Sequence, residues 1–169
     1  MKNTFLALII LAVCASCKED AIPKPNAFLR LDFPEANYKE QYLDLPFTLE
    51  KNELATEIET RVLKAKTESH AITLKYPSVK GAIYLTYKSI DNKEENLKSF
   101  LQDAQKFTQE HTLKADEIIE QIYENKERRV YGMIYEVGGN AASQSQFYIT
   151  DSINHFLTGS LYFYAKPNY

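Results

Sequence analysis

A chain of 169 residues with 44% hydrophobic content is long enough for one domain with its own core and too short for two comfortable ones. Charged residues make up 25% and sum to a formal net charge of −3, with Lys and Arg spread along the chain. The clustered basic footprint of nucleic-acid binding is therefore missing, and no nucleic-acid partner is expected. Twelve Tyr and nine Phe without any Trp favour a sheet-rich domain with amphipathic surface.

The chain opens with Met1-Lys2-Asn3, a short basic start, followed by an uninterrupted apolar run from Phe5 to Val13 and the small residues Ala15 and Ser16. This order is that of an export signal. The run falls short of the ~20 apolar residues that a ~30 Å hydrocarbon core demands of a spanning helix. Ser16 is followed at once by Cys17, which resembles the lipobox of bacterial lipoproteins, with Cys14 in place of the usual Leu three residues before the cut. Residues 1–16 are then a cleaved signal peptide, and Cys17 becomes the first mature residue, with diacylglycerol on its thiol and acyl chains such as palmitate. Each buried methylene contributes ~0.8 kcal/mol, so two or three chains on one residue hold a protein almost permanently where one chain does not.

Read instead as a C-x-x-C redox or metal pair, Cys14 and Cys17 would have to open a helix in a folded domain or face a second ligand pair, and the sequence supplies neither. Residues 17–26 form the lipidated cysteine and its tether, in which Pro23 and Pro25 favour an extended, polyproline-like spacer. Lys18-Glu19-Asp20 lacks the aspartate next to the cysteine that retains enteric lipoproteins in the inner membrane, and it resembles the Lys-acidic-acidic export signal of Bacteroidetes surface lipoproteins. That favours the outer membrane, with the periplasmic and surface-facing leaflets both open.

The globular domain is expected over residues 27–169. Alternation of Leu31 and Phe33 with polar neighbours predicts a strand over 28–33, and Phe47-Thr48-Leu49 a second short one. Leu54 to Ala65 fits a helical face through Leu54, Ile58 and Val62, and fits strand alternation through Ile58, Thr60 and Val62. Ile72, Leu74 and Tyr76, then Ile83, Leu85 and Tyr87, alternate around a turn from Pro77 to Gly81 and predict a hairpin. After Asp91-Asn92, read as a helix cap, Leu97, Phe100, Leu101, Ala104, Phe107 and Thr108 recur at three and four, which predicts an amphipathic helix through about His111. Residues 115–124 could extend that helix or form an edge strand. Three β-like runs over 130–137, 146–150 and 155–165 predict an antiparallel meander. The fold class is α+β: a single domain with a twisted antiparallel sheet and one main amphipathic helix packed on a face.

Chemistry is sparse. His70, His111 and His155 are far apart and lack metal-ligand spacing, and no P-loop, G-x-G-x-x-G or G-x-S-x-G occurs, so neither metal nor cofactor is expected. The acidic pairs Glu57/Glu59 and Glu94/Glu95 fit solvated surface. The stretch from Gly138 to His155 gathers Asn140, Ser143, Ser145, Asp151, Ser152 and His155, from which a Ser/His/Asp arrangement can be drawn. Triad catalysis also needs an oxyanion hole and a base within hydrogen-bond reach, and the same residues serve as turns, with Asp151 accepting local backbone bonds. Tyr162, Phe163 and Tyr164 fill a core or present aromatics to a partner or glycan. The candidate ligand or partner surface comprises Asn140, Gln146, Tyr148, Asp151 and His155.

Four stretches carry a family likeness: PKPNAFLRLDFP (23–34), ITLKYPSVKGAIYLTYK (72–88), VYGMIYEVGGNAASQSQFYITDS (130–152) and HFLTGSLYFYAKPN (155–168). They resemble the gliding-motility lipoprotein GldD family of Bacteroidetes, which is expected to run somewhat beyond the position of Tyr169. The resemblance implies an envelope lipoprotein needed for gliding and for the type IX secretion system that delivers surface adhesins. It implies no enzymatic activity and no catalytic residue, so only the lipidated cysteine carries over, onto Cys17. The expectation is a structural or assembly component whose partners are membrane lipid and other gliding or secretion envelope proteins. A lipoprotein module that binds a glycan or peptide is the alternative, and a hydrolase centred on Asp151 and His155 is the third reading.

Overall fold

The computed structural model describes residues 34–111, 117–138 and 143–164; the strand expected over 28–33, together with Cys17 and Asn140, lies outside them. Two compact units divide between Glu35 and Ala36, and the second, Ala36–Tyr169, holds all the elements below.

Strands β1 (Tyr38–Tyr42) and β2 (Thr48–Asn52) form an antiparallel hairpin of their own, with Tyr38 opposite Asn52 and Tyr42 opposite Thr48. A seven-stranded antiparallel sheet then runs in the order β3-β4-β5-β9-β8-β7-β6. Its first meander is β3 (Glu57–Val62), β4 (Ser69–Tyr76) and β5 (Gly81–Ser89), with a 3-10 turn at Pro77–Val79 closing the expected hairpin. Helix α1 (Glu94–His111) follows, and the second meander is β6 (Glu117–Asn125), β7 (Val130–Gly138), β8 (Ser143–Thr150) and β9 (His155–Phe163). Pairing of β5 with β9 joins the two meanders into one sheet.

Alternation decides what each face does. On one face, Ile72 and Leu74 of β4, Leu85 and Tyr87 of β5 and Leu157 of β9 form a buried cluster with Ala55. Leu43, Leu45, Phe47 and Leu49 from the β1–β2 hairpin pack over it, and the Phe47 and Tyr87 ring centroids are 5.4 Å apart. Full burial of a large aliphatic side chain such as Ile72 or Leu74 contributes about 1.5–3 kcal/mol. On the opposite face, Phe100 of α1 meets Phe156 of β9 at 5.6 Å, and Phe156 is 1% exposed. Lys88 of β5 reaches Asp103 of α1 at 3.3 Å and lies 4.6 Å over the Phe100 ring.

The α+β class, the hairpin, the helix and the meander are all present. Tertiary pairing resolves the two ambiguous stretches. Residues 57–62 are strand because Ile58 pairs opposite Leu74 and packs on the core, while Val62 is 74% exposed, as no buried helical face would allow. Residues 117–125 are strand β6, at the sheet edge.

The helix begins differently from its expected cap. Asp91 and Asn92 adopt left-handed backbone (φ 55° and 54°), which these residue types tolerate, and form a turn. The Asn92 N–H donates to the Ile153 carbonyl at 3.0 Å, tying the turn to the start of β9. Lys93 supplies the first carbonyl that accepts helix bonds, from Asn96 and Leu97, and Glu94 and Glu95 sit in the first turn, where the helix dipole favours acid.

Gly132 marks a close approach. A Cβ there would lie 2.1 Å from the Tyr148 carbonyl oxygen and 2.9 Å from Ile149 Cγ2, whereas at Gly138 the nearest atoms, on Glu117, are at an ordinary 3.7 Å. Gly132→Ala is expected to destabilise by about 1–3 kcal/mol, because a backbone carbonyl cannot step aside. Gly138→Ala is expected to stay within about 0.5 kcal/mol of the parent. Thermal denaturation of the two variants side by side measures the contrast.

Candidate functional site

The face of the sheet that carries α1 also carries a groove. Strand parity points Tyr84, Thr86 and Lys88 of β5 and Phe156, Thr158, Ser160 and Tyr162 of β9 to this side, together with Gln146 and Tyr148 of β8 and Tyr135 of β7. Register sets Thr86 opposite Thr158 and Ser160 between Tyr84 and Gln146. Small hydroxyl side chains thus occupy the middle of the face, and rings stand at both ends. The depression between them is a cavity of about 670 Å³, within the range of small-ligand sites.

The rings are fixed by their contacts. Tyr84 and Tyr162 meet edge to face at 5.6 Å, and the Tyr84 hydroxyl shares a 2.9 Å hydrogen bond with that of Tyr164. At the other end Tyr148 stacks on Phe156, 5.7 Å apart and within 10° of parallel, and Phe100, Asp103 and Ala104 of α1 close the wall. Burial pushes the Tyr135 phenol up to about 12 and raises that of Tyr148, while the bond to Tyr164, with burial behind it, raises Tyr84. All three remain neutral phenols at ordinary pH, able to donate or accept hydrogen bonds. Lys88 and Asp103, the two charged side chains of the lining among the described residues, face each other. A smaller cavity of about 330 Å³ on the opposite face lies between β2 and the sheet, with Leu49, Leu74 and Ile83 in its walls.

The five residues singled out in the sequence separate. Gln146, 3% exposed, and Tyr148 line the groove. Asp151 sits in the β8–β9 turn, where its Oδ1 accepts the N–H groups of Ile153, Asn154 and His155 at 3.0, 2.8 and 2.8 Å. In the same turn Thr150 Oγ1 donates to the His155 carbonyl at 2.7 Å and accepts the Ser152 N–H at 2.9 Å. The His155 ring points to the other face, where its Nδ1 shares a 2.9 Å hydrogen bond with the Tyr87 hydroxyl, and Tyr87 is 2% exposed. Asn140 lies outside the described residues. Sequence reasoning passed over Tyr84, Thr86, Thr158 and Ser160, because what unites them is the β5–β9 register and not a local motif. Among the described residues, no group of three or more His, Cys, Asp or Glu side chains is placed to hold a metal ion.

Compared with known proteins, the chain matches the model of the family described as gliding motility lipoprotein GldD over residues 18–169. No curated protein and no solved structure matches it.

The Asp151 turn yields a pH-dependent expectation. Partial burial acts to raise its pKa, but the three backbone donors, helped by His155, outweigh this and hold the carboxyl below its usual range. A depressed carboxylate stabilises the fold above its unfolded pKa of ~3.9 and loses that contribution as pH falls through the lower folded value. Asp151→Ala is expected to lower the melting temperature at pH 7, with part of the difference from wild type vanishing below about pH 4. Parallel melts at pH 7 and pH 3 check it.

Proposed function

Because the chain belongs to the gliding motility lipoprotein GldD family, we propose that it acts as a non-enzymatic structural or assembly component of the gliding and type IX secretion machinery. Family membership makes it a lipid-anchored envelope protein. No helix among the described residues is long and apolar enough to cross a membrane. In this reading residues 1–16 are removed, Cys17 carries the acyl groups, residues 17–26 are the tether, and Lys18-Glu19-Asp20 directs the protein to the outer membrane.

The observation that carries the assembly reading is the outer edge of β6. This strand ends the sheet, and among the described residues nothing pairs with its far side. It is nine residues long, and it exposes Ile119, Tyr123 and Ile122, the last at 82%. Long edges with exposed apolar side chains are where another chain adds a strand, and most proteins blunt them with Lys, Pro or bulges. Strand β6 contains no Lys or Pro; its charges are Glu117, Glu120 and Glu124, which repel like edges, so the partner it suits is an extended segment of another envelope protein with apolar and basic side chains. The tether keeps this edge at high local concentration near such partners. The groove favours the second reading, a module that binds a small ligand, and it uses different side chains.

Two measurements test the assembly reading. A deletion strain should lose spreading and secretion, regain both with the wild-type chain, and regain neither with Cys17→Ala, which mass spectrometry should find without acyl groups. Ile122→Glu, at a side chain already in solvent, is expected to fold within about 0.5 kcal/mol of wild type. It should nevertheless fail to restore secretion, and it should lose gliding and secretion components from cross-linked envelope pull-downs. Full rescue by Ile122→Glu would remove the edge from the argument.

A further inference from the structure

The groove on the helix face has a chemistry that narrows its occupant. Its floor is built from β5, β9, β8 and β7, and each of these has a hydrogen-bonded strand on both sides. Their backbone groups are therefore engaged in ladders, and an extended peptide, which gains affinity by pairing its main chain with a free sheet edge, finds no edge there. Ionic ligands fare no better, since among the described residues the charges of the lining are one cation and one anion, Lys88 and Asp103, 3.3 Å apart. A fatty acyl chain would cover the Thr86, Thr158 and Ser160 hydroxyls, stripping water from them without replacing its hydrogen bonds.

What remains is a neutral molecule with flat apolar faces and many hydroxyls. Sugar rings combine the two: C–H faces that lie on aromatic side chains, and equatorial hydroxyls that both donate and accept. The groove offers Tyr84 and Tyr162 at one end and Tyr148, backed by the buried Phe156, at the other, with hydroxyls between them. Tyrosine suits this use, because each ring presents an apolar body with a polar tip. The arrangement is also stiff before anything binds: the Tyr84–Tyr162 and Tyr148–Phe156 contacts and the bond from Tyr84 to Tyr164 hold the rings in place, which lowers the ordering cost of association.

We propose that this groove is a carbohydrate-binding site that takes an uncharged oligosaccharide, with Thr86, Thr158 and Ser160 bonding its hydroxyls and Tyr84, Tyr162 and Tyr148 packing on its rings. The full chain, purified in detergent, is titrated by calorimetry with maltotriose, cellotriose and triacetylchitotriose, and in parallel with decanoate and a tetra-alanine peptide. At least one of the sugars should bind. The double variant Thr86→Val with Thr158→Val keeps the shape and removes two hydroxyls, and it should weaken sugar binding by about tenfold or more, as the loss of two hydrogen bonds implies. Tyr162→Ala, a wall residue outside the buried core, should weaken it too. Circular dichroism melts confirm that each variant folds, and each variant is an independent test. Three outcomes would overturn the proposal: no sugar binds, sugar binding survives both variants, or decanoate or the peptide binds more tightly than any sugar and does so equally in the valine variant.

Discussion

The pairing of β5 with β9 holds the molecule together. Nine consecutive residues from Gly81 to Ser89 lie opposite nine from Phe163 down to His155, and this seam alone connects the β3–β4–β5 meander to the β6–β9 meander within the sheet. Within each meander, strands next to one another in sequence pair through short connections, so ordering them is inexpensive in chain entropy. The seam instead closes a long stretch of chain that includes helix α1, and its entropic cost has to be offset by what it buries. Phe156, Leu157 and Tyr87 supply that burial on the two sides of the seam, and the Asn92 N–H bonded to the Ile153 carbonyl anchors the start of the helix to the same place.

The seam fixes function-bearing geometry as well as stability. Because side chains alternate, β9 sends Leu157, Gly159 and Leu161 to one face and Phe156, Thr158, Ser160 and Tyr162 to the other. A slip of one residue against β5 would exchange these sets, putting threonine and serine hydroxyls beneath the β1–β2 hairpin and leucines in the groove. Gly159 shows how closely the apolar side is fitted: a Cβ there would lie 2.3 Å from the Phe147 ring, so the ring occupies the space directly over the β9 backbone. Dense packing on one face allows the other to hold small polar side chains and an open depression without loss of the sheet.

What the sequence disclosed follows from this division. Alternation in Ile72, Leu74 and Tyr76 and in Ile83, Leu85 and Tyr87 is readable because one face of those strands is buried by apolar residues. Strand β1 is not, since Tyr38 to Tyr42 is mostly exposed and shows no apolar alternation. Residues 54–65 and 115–124 carried apolar residues compatible with either period, and only pairing with β4 and β7 decides between them. For the candidate site, closeness along the chain misled. His155 and Phe156 are neighbours that point to opposite faces, and Asp151 is consumed by its own turn. Gln146 and Tyr148, separated from Tyr84 and Thr86 by some sixty residues of sequence, share a surface with them because β9 lies between β8 and β5.

On the assembly reading proposed above, the β6 edge, one of the two ends of the seven-stranded sheet, would let a lipid-anchored protein keep a sticky strand without joining its own kind. Two copies pairing antiparallel about Gln121 would set Ile119 against Tyr123, a favourable match, but they would also gather Glu117, Glu120 and Glu124 of both copies along one seam. Lys126 lies 3.7 Å from Glu124, close to the β7 end of the strand, and β6 itself contributes no cation to relieve the rest. Crowding on a membrane raises the chance of self-encounter as much as that of meeting a partner, so repulsion between like edges matters more for a tethered domain than for a free one. On the assembly reading, an acidic edge with exposed isoleucines would discriminate by charge and adhere by apolar contact. That combination suits association with a basic, extended segment of a different protein.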